Sequence, residues 1–302
     1  MMKKLTGGVI PLLVLLSLSL KAEPVWRDFF KWKPSSEWEE IFPQLNLKAG
    51  VSGKWLEGKV KFTREKEGKQ VGETLDLVDE LNFEVPSLGM ELGLAFTFAS
   101  KHRLVVTYQQ SRYRGKVDLL QKDLEFAGKV FTGKIENALL LDQLGIYYQY
   151  LFYPFPRLCI SPLVGIENYF LGIMLKSEDL DLRVIPTIYL PIPALGVSSF
   201  YRLGKGFGLY ADFRGIGIAG WQEAGWLPIP FHLLAVWSGI NNFNIYYFQT
   251  ELGFNYQFRR INLGISYLLS QSGAKIEYEE EDKYDYFRVG EQGILLWLRL
   301  NF

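Results

Sequence analysis

Residues 246–258 constrain the chain most. Tyr246, Phe248, Thr250, Leu252, Phe254, Tyr256 and Phe258 share one side of a period of two, and Tyr247, Gln249, Glu251, Gly253, Asn255 and Gln257 share the other. Successive side chains of a strand point to opposite faces, so this run reads as a strand with one apolar and one polar face. A soluble sandwich would bury the apolar face and a lipid-embedded barrel would expose it. Periodicity alone does not choose between them, so the choice falls to the leader, the turns and the last strand.

The pattern recurs in Ile261, Leu263, Ile265, Tyr267 and Leu269, set against Asn262, Gly264, Ser266 and Ser270, with Arg259-Arg260 as a tight connection. Similar tight turns fall at Ser100-Lys101-His102, Tyr153-Pro154-Phe155-Pro156 and Gly204-Lys205-Gly206. They separate segments long enough to cross a bilayer when tilted. Longer polar or irregular stretches lie between them, at 66–82, 118–136, 177–186, 224–243 and 280–285. Segments at 44–65, 85–99, 102–117, 137–153, 157–176, 187–203, 206–222, 244–258, 260–279 and 286–302 predict an all-β antiparallel barrel of about ten strands. Eight or twelve are the alternatives. The first segment is polar, and Pro186, Pro191 and Pro193 belong at the entrance of the sixth, because proline cannot donate to a ladder.

Lys3 and Lys4 precede an apolar run from Val9 to Leu20, then Ala22, which predicts a secretory signal over 1–22. Leu20 occupies a position where a small residue is usual, so a cut after Ser19 or retention as an anchor are alternatives. After that run no stretch approaches the roughly 18 apolar residues of a spanning helix. Aromatics at 16% and 29 glycines suit strands and interfacial rings. Residues 23–43 carry Trp26, Phe29, Phe30, Trp32, Trp38 and Phe42, which permits a short amphipathic helix at the membrane surface or across the barrel mouth, or a locally packed tail. The barrel is then 44–302. Zero net charge with interleaved signs disfavours nucleic-acid binding. One cysteine, Cys159, excludes an intrachain disulfide and reads as a small buried residue.

The final residues place Ile294, Leu296, Leu298, Leu300 and Phe302 on one face and Leu295, Trp297, Arg299 and Asn301 on the other. Together with the leader and an even strand count, this ending resembles that of bacterial outer-membrane β-barrels, over essentially the whole mature chain. The resemblance implies an outer-membrane location, short periplasmic turns and longer external loops. It also implies surroundings of outer-membrane lipid and lipopolysaccharide, and recognition of Phe302 by the outer-membrane assembly machinery. Omptin proteases share the strand count only, because this chain has just His102, at a tight turn, and His232.

The polar faces collect Glu91, Gln149, Glu167, Arg202, Asp212, Arg214, Glu251 and Arg299 in the lumen. Opposite charges in a narrow interior pair rather than stay separately solvated, which predicts a filling polar network, with a narrow porin-like conduit as the alternative. His232 and Ser238, in an external stretch, are the minimum for acyl transfer on lipid or lipopolysaccharide. No G-x-S-x-G surrounds Ser238. The apolar run 226–237 fits an aromatic-rich loop packed on its neighbours or a short strand or helix, with an outer-leaflet contact, a plug or a ligand site as the functional alternatives. Glu277 and Glu279–Asp282 read as a solvated hairpin tip rather than a calcium site. Gly204, Gly206 and Gly208 read as hairpin glycines, and neither metal nor cofactor is expected. The reading is a structural or envelope protein, with a channel for small or hydrophobic solutes and a lipid hydrolase as alternatives. The protein is expected to stay in the membrane fraction after carbonate or urea washing; release into the wash would mark a soluble exported β-protein.

Overall fold

The computed structural model describes residues 38, 41–61, 64–66, 69–71, 74–98, 100–126, 129–177, 183–184, 187–219, 240–278 and 284–302. Ten long strands form the wall: β1 (Leu45–Lys61), β2 (Ser87–Phe98), β3 (His102–Phe126), β4 (Lys129–Tyr150), β5 (Leu158–Ser177), β6 (Thr187–Gly204), β7 (Phe207–Ala219), β8 (Ile240–Phe258), β9 (Ile261–Tyr278) and β10 (Tyr284–Asn301). Each pairs antiparallel with the next. β10 returns to β1 in unbroken register from Asn46↔Asn301 to Lys61↔Tyr286, so the sheet closes. Closure removes the edge that would otherwise leave backbone donors and acceptors unpaired in lipid.

The ambiguity of 246–258 is resolved by burial. On β8, Phe254 is 61% exposed while Gln249 is fully buried. The same inversion holds on β10, where Ile294, Leu296, Leu298, Leu300 and Phe302 face out and Leu295, Trp297 and Asn301 face in. The apolar exterior continues through Leu47 and Val51 on β1 and Leu92, Leu94 and Phe96 on β2. An apolar band running around a closed sheet is a lipid-facing surface. The polar-reading first strand is therefore secure: Asn46, Ser52 and Lys54 point inward and are buried.

Short turns gather at one end, the periplasmic one. Ser100, Lys205 and Arg259 adopt positive φ there, and Gly204 and Gly206 flank Lys205 at φ 117° and 84°, the left-handed backbone a tight hairpin needs. The external end departs from expectation in three places. The stretch 118–136 is mostly wall: β3 and β4 run for 25 and 22 residues and keep pairing to Phe126↔Lys129. Outward charges such as Lys116 and Lys134 disguise it, while Phe131, Ile135 and Leu139 continue the inward face. Pro191 and Pro193 lie within β6 rather than at its entrance. They remove donors from one edge only, and Thr187–Ala194 pairs with β5 alone among the described residues, β7 joining from Leu195.

The third departure is 66–82, expected as an irregular loop. Arg64–Lys66 and Lys69–Val71 form a small hairpin, and Leu75–Asp76 pairs with Lys59 and Val60. The chain then turns inward, with Asp76 Oδ1 accepting from the backbone N of Val78 and Asp79, both at 3.0 Å. Leu75, Leu77, Leu81 and Phe83 are buried against Val60, Tyr113, Phe131, Ile135, Tyr169 and Phe287 from the wall. Gly115 leaves the space where Leu81 and Asn82 carbonyls pass. Among the described residues an apolar core thus occupies the outer half of the lumen.

Leu298, in the middle of the apolar band on β10, gives a direct check. Leu298→Arg is expected to cost about 2–4 kcal/mol in reversible urea unfolding from vesicles; a change below about 0.5 kcal/mol would mean that this face meets water.

Candidate functional site

Below the apolar core, the inward faces of the wall carry a continuous polar network. Its centre is Lys48 on β1, whose Nζ lies 2.5 Å from Glu91 Oε1 and 3.2 Å from Glu251 Oε1. Glu91 Oε2 accepts from Gln109 Nε2 at 3.1 Å. Glu251 Oε1 also accepts from Tyr210 OH at 2.5 Å and Ser266 Oγ at 2.8 Å, and Trp297 Nε1 donates to Tyr210 OH at 2.7 Å. One ammonium therefore ties β1, β2 and β8, and the shared carboxylate extends the tie to β7, β9 and β10. Gly264 leaves room for the Trp297 ring.

Two further groups flank that centre. Arg214 Nε lies 3.6 Å from Asp212 Oδ1, its guanidinium 4.9 Å from the Tyr147 ring centroid. Ser198 Oγ donates to Asp212 Oδ2 and accepts from Gln149 Nε2. Tyr247, Gln249 and Gln143 hydrogen-bond across the lumen from β8 to β4. Toward the apolar core, Lys54 Nζ lies 3.4 Å from Glu291 Oε2 and donates to Ser111 Oγ at 2.9 Å, while Tyr113 OH donates to Glu291 Oε1 at 2.8 Å.

The periplasmic mouth is occupied by residues from before β1. Trp38 is buried with Ile41 against Leu151, Tyr153, Cys159 and Phe200, and Phe42 packs on the same cluster. The Trp38 ring centroid lies 5.0 Å from that of Tyr153 and 6.0 Å from that of Phe42. Phe42 N donates to Trp38 O at 2.8 Å. Arg202 and Arg103 cap the cluster, their Cζ atoms 5.8 Å from the Trp38 ring centroid and 5.1 Å from that of Phe42. Cation–π geometry is favoured where water is scarce.

Of the eight expected lumen residues, Glu91, Gln149, Asp212, Arg214, Glu251 and Arg299 line one cavity of about 140 Å³. Arg202 lines a second, of about 400 Å³, at the mouth. Glu167 is fully buried within electrostatic range of Arg214. The sequence reading missed Lys48, Lys54, Arg103, Tyr210 and Glu291. Parity would have found Lys48 and Lys54, because both share the face of Asn46 and Ser52 and oppose that of Leu47 and Val51.

His232, Ser238 and the run 226–237 lie outside the described residues, as do the signal segment 1–22 and the acidic tip 279–282. His102 sits at the periplasmic end, sharing a hydrogen bond of 2.5 Å with Tyr148 OH. Among the described residues no cluster of three or more His, Cys, Asp or Glu side chains is placed to hold a metal ion. Phe302 is exposed, and its backbone N donates to Leu45 O at 2.9 Å, the last bond between the final strand and the first.

No protein-family model and no curated protein matches the chain. Among solved structures it is similar to the outer membrane protease OmpT from Escherichia coli, with TM-score 0.51 and 9% identity over 86% of this chain and 97% of that one. It also matches the attachment invasion locus protein Ail of Yersinia pestis, at TM-score 0.33 and 8% identity over 85% and 99%. A third match is the toluene transporter TodX of P. putida, at TM-score 0.32 and 9% identity over 87% and 92%. At such identities the likeness to OmpT speaks for architecture. The chain has the fold of a bacterial outer-membrane β-barrel.

Proposed function

We propose that this protein serves the outer membrane as a sealed, non-enzymatic barrel with a structural or envelope-maintaining role. The observation that carries the reading is the obstruction of the lumen at three successive levels. An apolar core reinforced by the inward turn of 75–83 occupies the outer half, the Lys48 network the middle, and the Trp38 cluster the periplasmic mouth. A conducting pore needs a continuous water path lined by groups that bind weakly enough to release. Here Lys48, Glu91 and Glu251, Lys54 and Glu291, and Asp212 and Arg214 are engaged with one another, and the outer half is lined mainly by aliphatic and aromatic side chains.

OmpT carries proteolysis on the same architecture, but the described outer half of this lumen offers no comparable chemistry. Glu291 is engaged by Lys54 and Tyr113, Asp285 is buried at the outer end of β10, and His102 sits at the opposite end. In this reading the ionic groups lock the wall. Removing one partner of a buried pair leaves the other charge uncompensated, at a cost of about 3–5 kcal/mol.

Two outcomes follow. The purified protein in planar bilayers is expected to show no steady conductance, and Arg299→Ala or Arg202→Ala none either; reproducible channels from the parent protein would remove the sealed-barrel reading. Lys48→Met, which strands Glu91 and Glu251, is expected to lower unfolding stability in urea by about 3 kcal/mol or more; an unchanged midpoint would show that the tie contributes nothing.

A further inference from the structure

Two inward arginines, Arg103 and Arg299, lie at the periplasmic side of the network and, like Arg214, each has a buried Nε without a hydrogen-bond partner. Arg103 is 93% buried, as its 7% exposure implies, and its Nε has no hydrogen-bond partner. Arg299 Nε is likewise buried without a partner. Neither guanidinium makes an ion pair among the described residues; Phe42 lies under Arg103 and Trp297 5.0 Å from Arg299 Cζ, with Glu251 and Glu91 within electrostatic range of Arg299. The two lie within electrostatic range of each other and repel. Asn46 Nδ2, a third donor in the same region, is also buried and unmatched.

All three residues line the 140 Å³ cavity. The carboxylates that line the cavity are already committed, Glu91 and Glu251 to Lys48 and Asp212 to Arg214, and a fourth, Glu167, is buried outside the lining within electrostatic range of Arg214. Four cations, Lys48, Arg103, Arg214 and Arg299, therefore face three carboxylates around this space. Among the lining residues the balance is one positive charge, and it falls on Arg103 and Arg299, which no lining carboxylate pairs. Burying like charges without a counterion is costly, and unmatched buried donors add to the cost. An anion resolves both at once.

Access fits the same sign. The neighbouring 400 Å³ cavity at the mouth is bounded by Arg202, Arg259 and Arg260, with no carboxylate among its described lining residues. A cleft lined by one sign of charge concentrates the opposite one. The inner cavity is too small for a lipid, and planar guanidinium forks match the oxygens of a compact oxyanion. We infer that the periplasmic half of the lumen is a binding site for a small oxyanion such as phosphate, held between Arg103 and Arg299 with Asn46 as an auxiliary donor. This goes beyond the structural role and does not depend on it, since a site reached from the periplasm needs no passage to the outside.

The probe is inorganic phosphate against chloride at matched ionic strength, with thermal unfolding of the full barrel in detergent followed by the heat-modifiable gel shift. Phosphate near saturation is expected to raise the midpoint by about 2 °C or more. Arg103→Gln and Arg299→Gln should lose the shift, Arg103→Lys should keep part of it, and Lys116→Gln, on the outer hairpin, should keep all of it. Should the glutamine variants not fold, equilibrium dialysis of the parent with labelled phosphate decides, with about one ion per barrel expected. Equal midpoints in the two salts, a shift that survives in Arg103→Gln, or no bound phosphate would overturn the site.

Discussion

The closure of β1 on β10 is the constraint from which the rest of the structure follows. A sheet whose outer surface is Leu, Ile, Val and Phe meets lipid, and lipid offers no partner to a backbone amide. Every donor and acceptor in the apolar band must then be met by a neighbouring strand, which only a ring provides. The register from Asn46↔Asn301 to Lys61↔Tyr286 supplies the final join, and the Phe302 N to Leu45 O bond extends it to the last residue. An open sheet of the same strands would leave one edge of β1 and one of β10 unsatisfied.

Closure also dictates the interior. Once the apolar side chains face out, the other parity of each strand has to fill a narrow cylinder, and polar groups there have mostly each other as partners. The wall answers this differently at different depths. Where β3 and β4 rise beyond the band, inward positions become Phe131, Ile135 and Leu139, and 75–83 folds in to complete an apolar core. Within the band, Lys48, Glu91, Glu251 and Tyr210 are matched to one another across several strands. At the mouth, where strands end and water is near, Trp38 and Phe42 cover the opening with rings against Arg202 and Arg103. Arg103 and Arg299, in contrast to Lys48 and Lys54, make no ion pair among the described residues.

How much of this was legible in the sequence depended on whether the signal was local. The alternation of 246–258 and 261–269 and the tight turns at Gly204–Gly206 and Arg259-Arg260 are local, and the architecture was readable from them. The tall β3–β4 hairpin was not, because charged outward residues such as Lys116, Glu136 and Lys134 make a strand beyond the lipid band look like a loop. Pro191 and Pro193 misled because proline's effect depends on which edge is paired, a tertiary fact. Lys48 was hidden because β1 has weaker apolar contrast than β8, although its parity is the same. The burial of Trp38 and of 75–83 was not legible at all: an aromatic or leucine in a connecting segment gives no sign that it turns into a lumen rather than toward the membrane surface.

The ring itself is open to direct measurement by residue-resolved hydrogen exchange of the protein in lipid bilayers. Closure requires the amides of Val51–Leu56 on β1 and Gln292–Trp297 on β10 to be protected on both strand edges, to the same degree as those of Gly253–Tyr256 in the middle of the sheet. Rapid exchange of every second amide in either segment, the signature of an unpaired edge, would contradict a closed barrel and with it the account of a filled lumen.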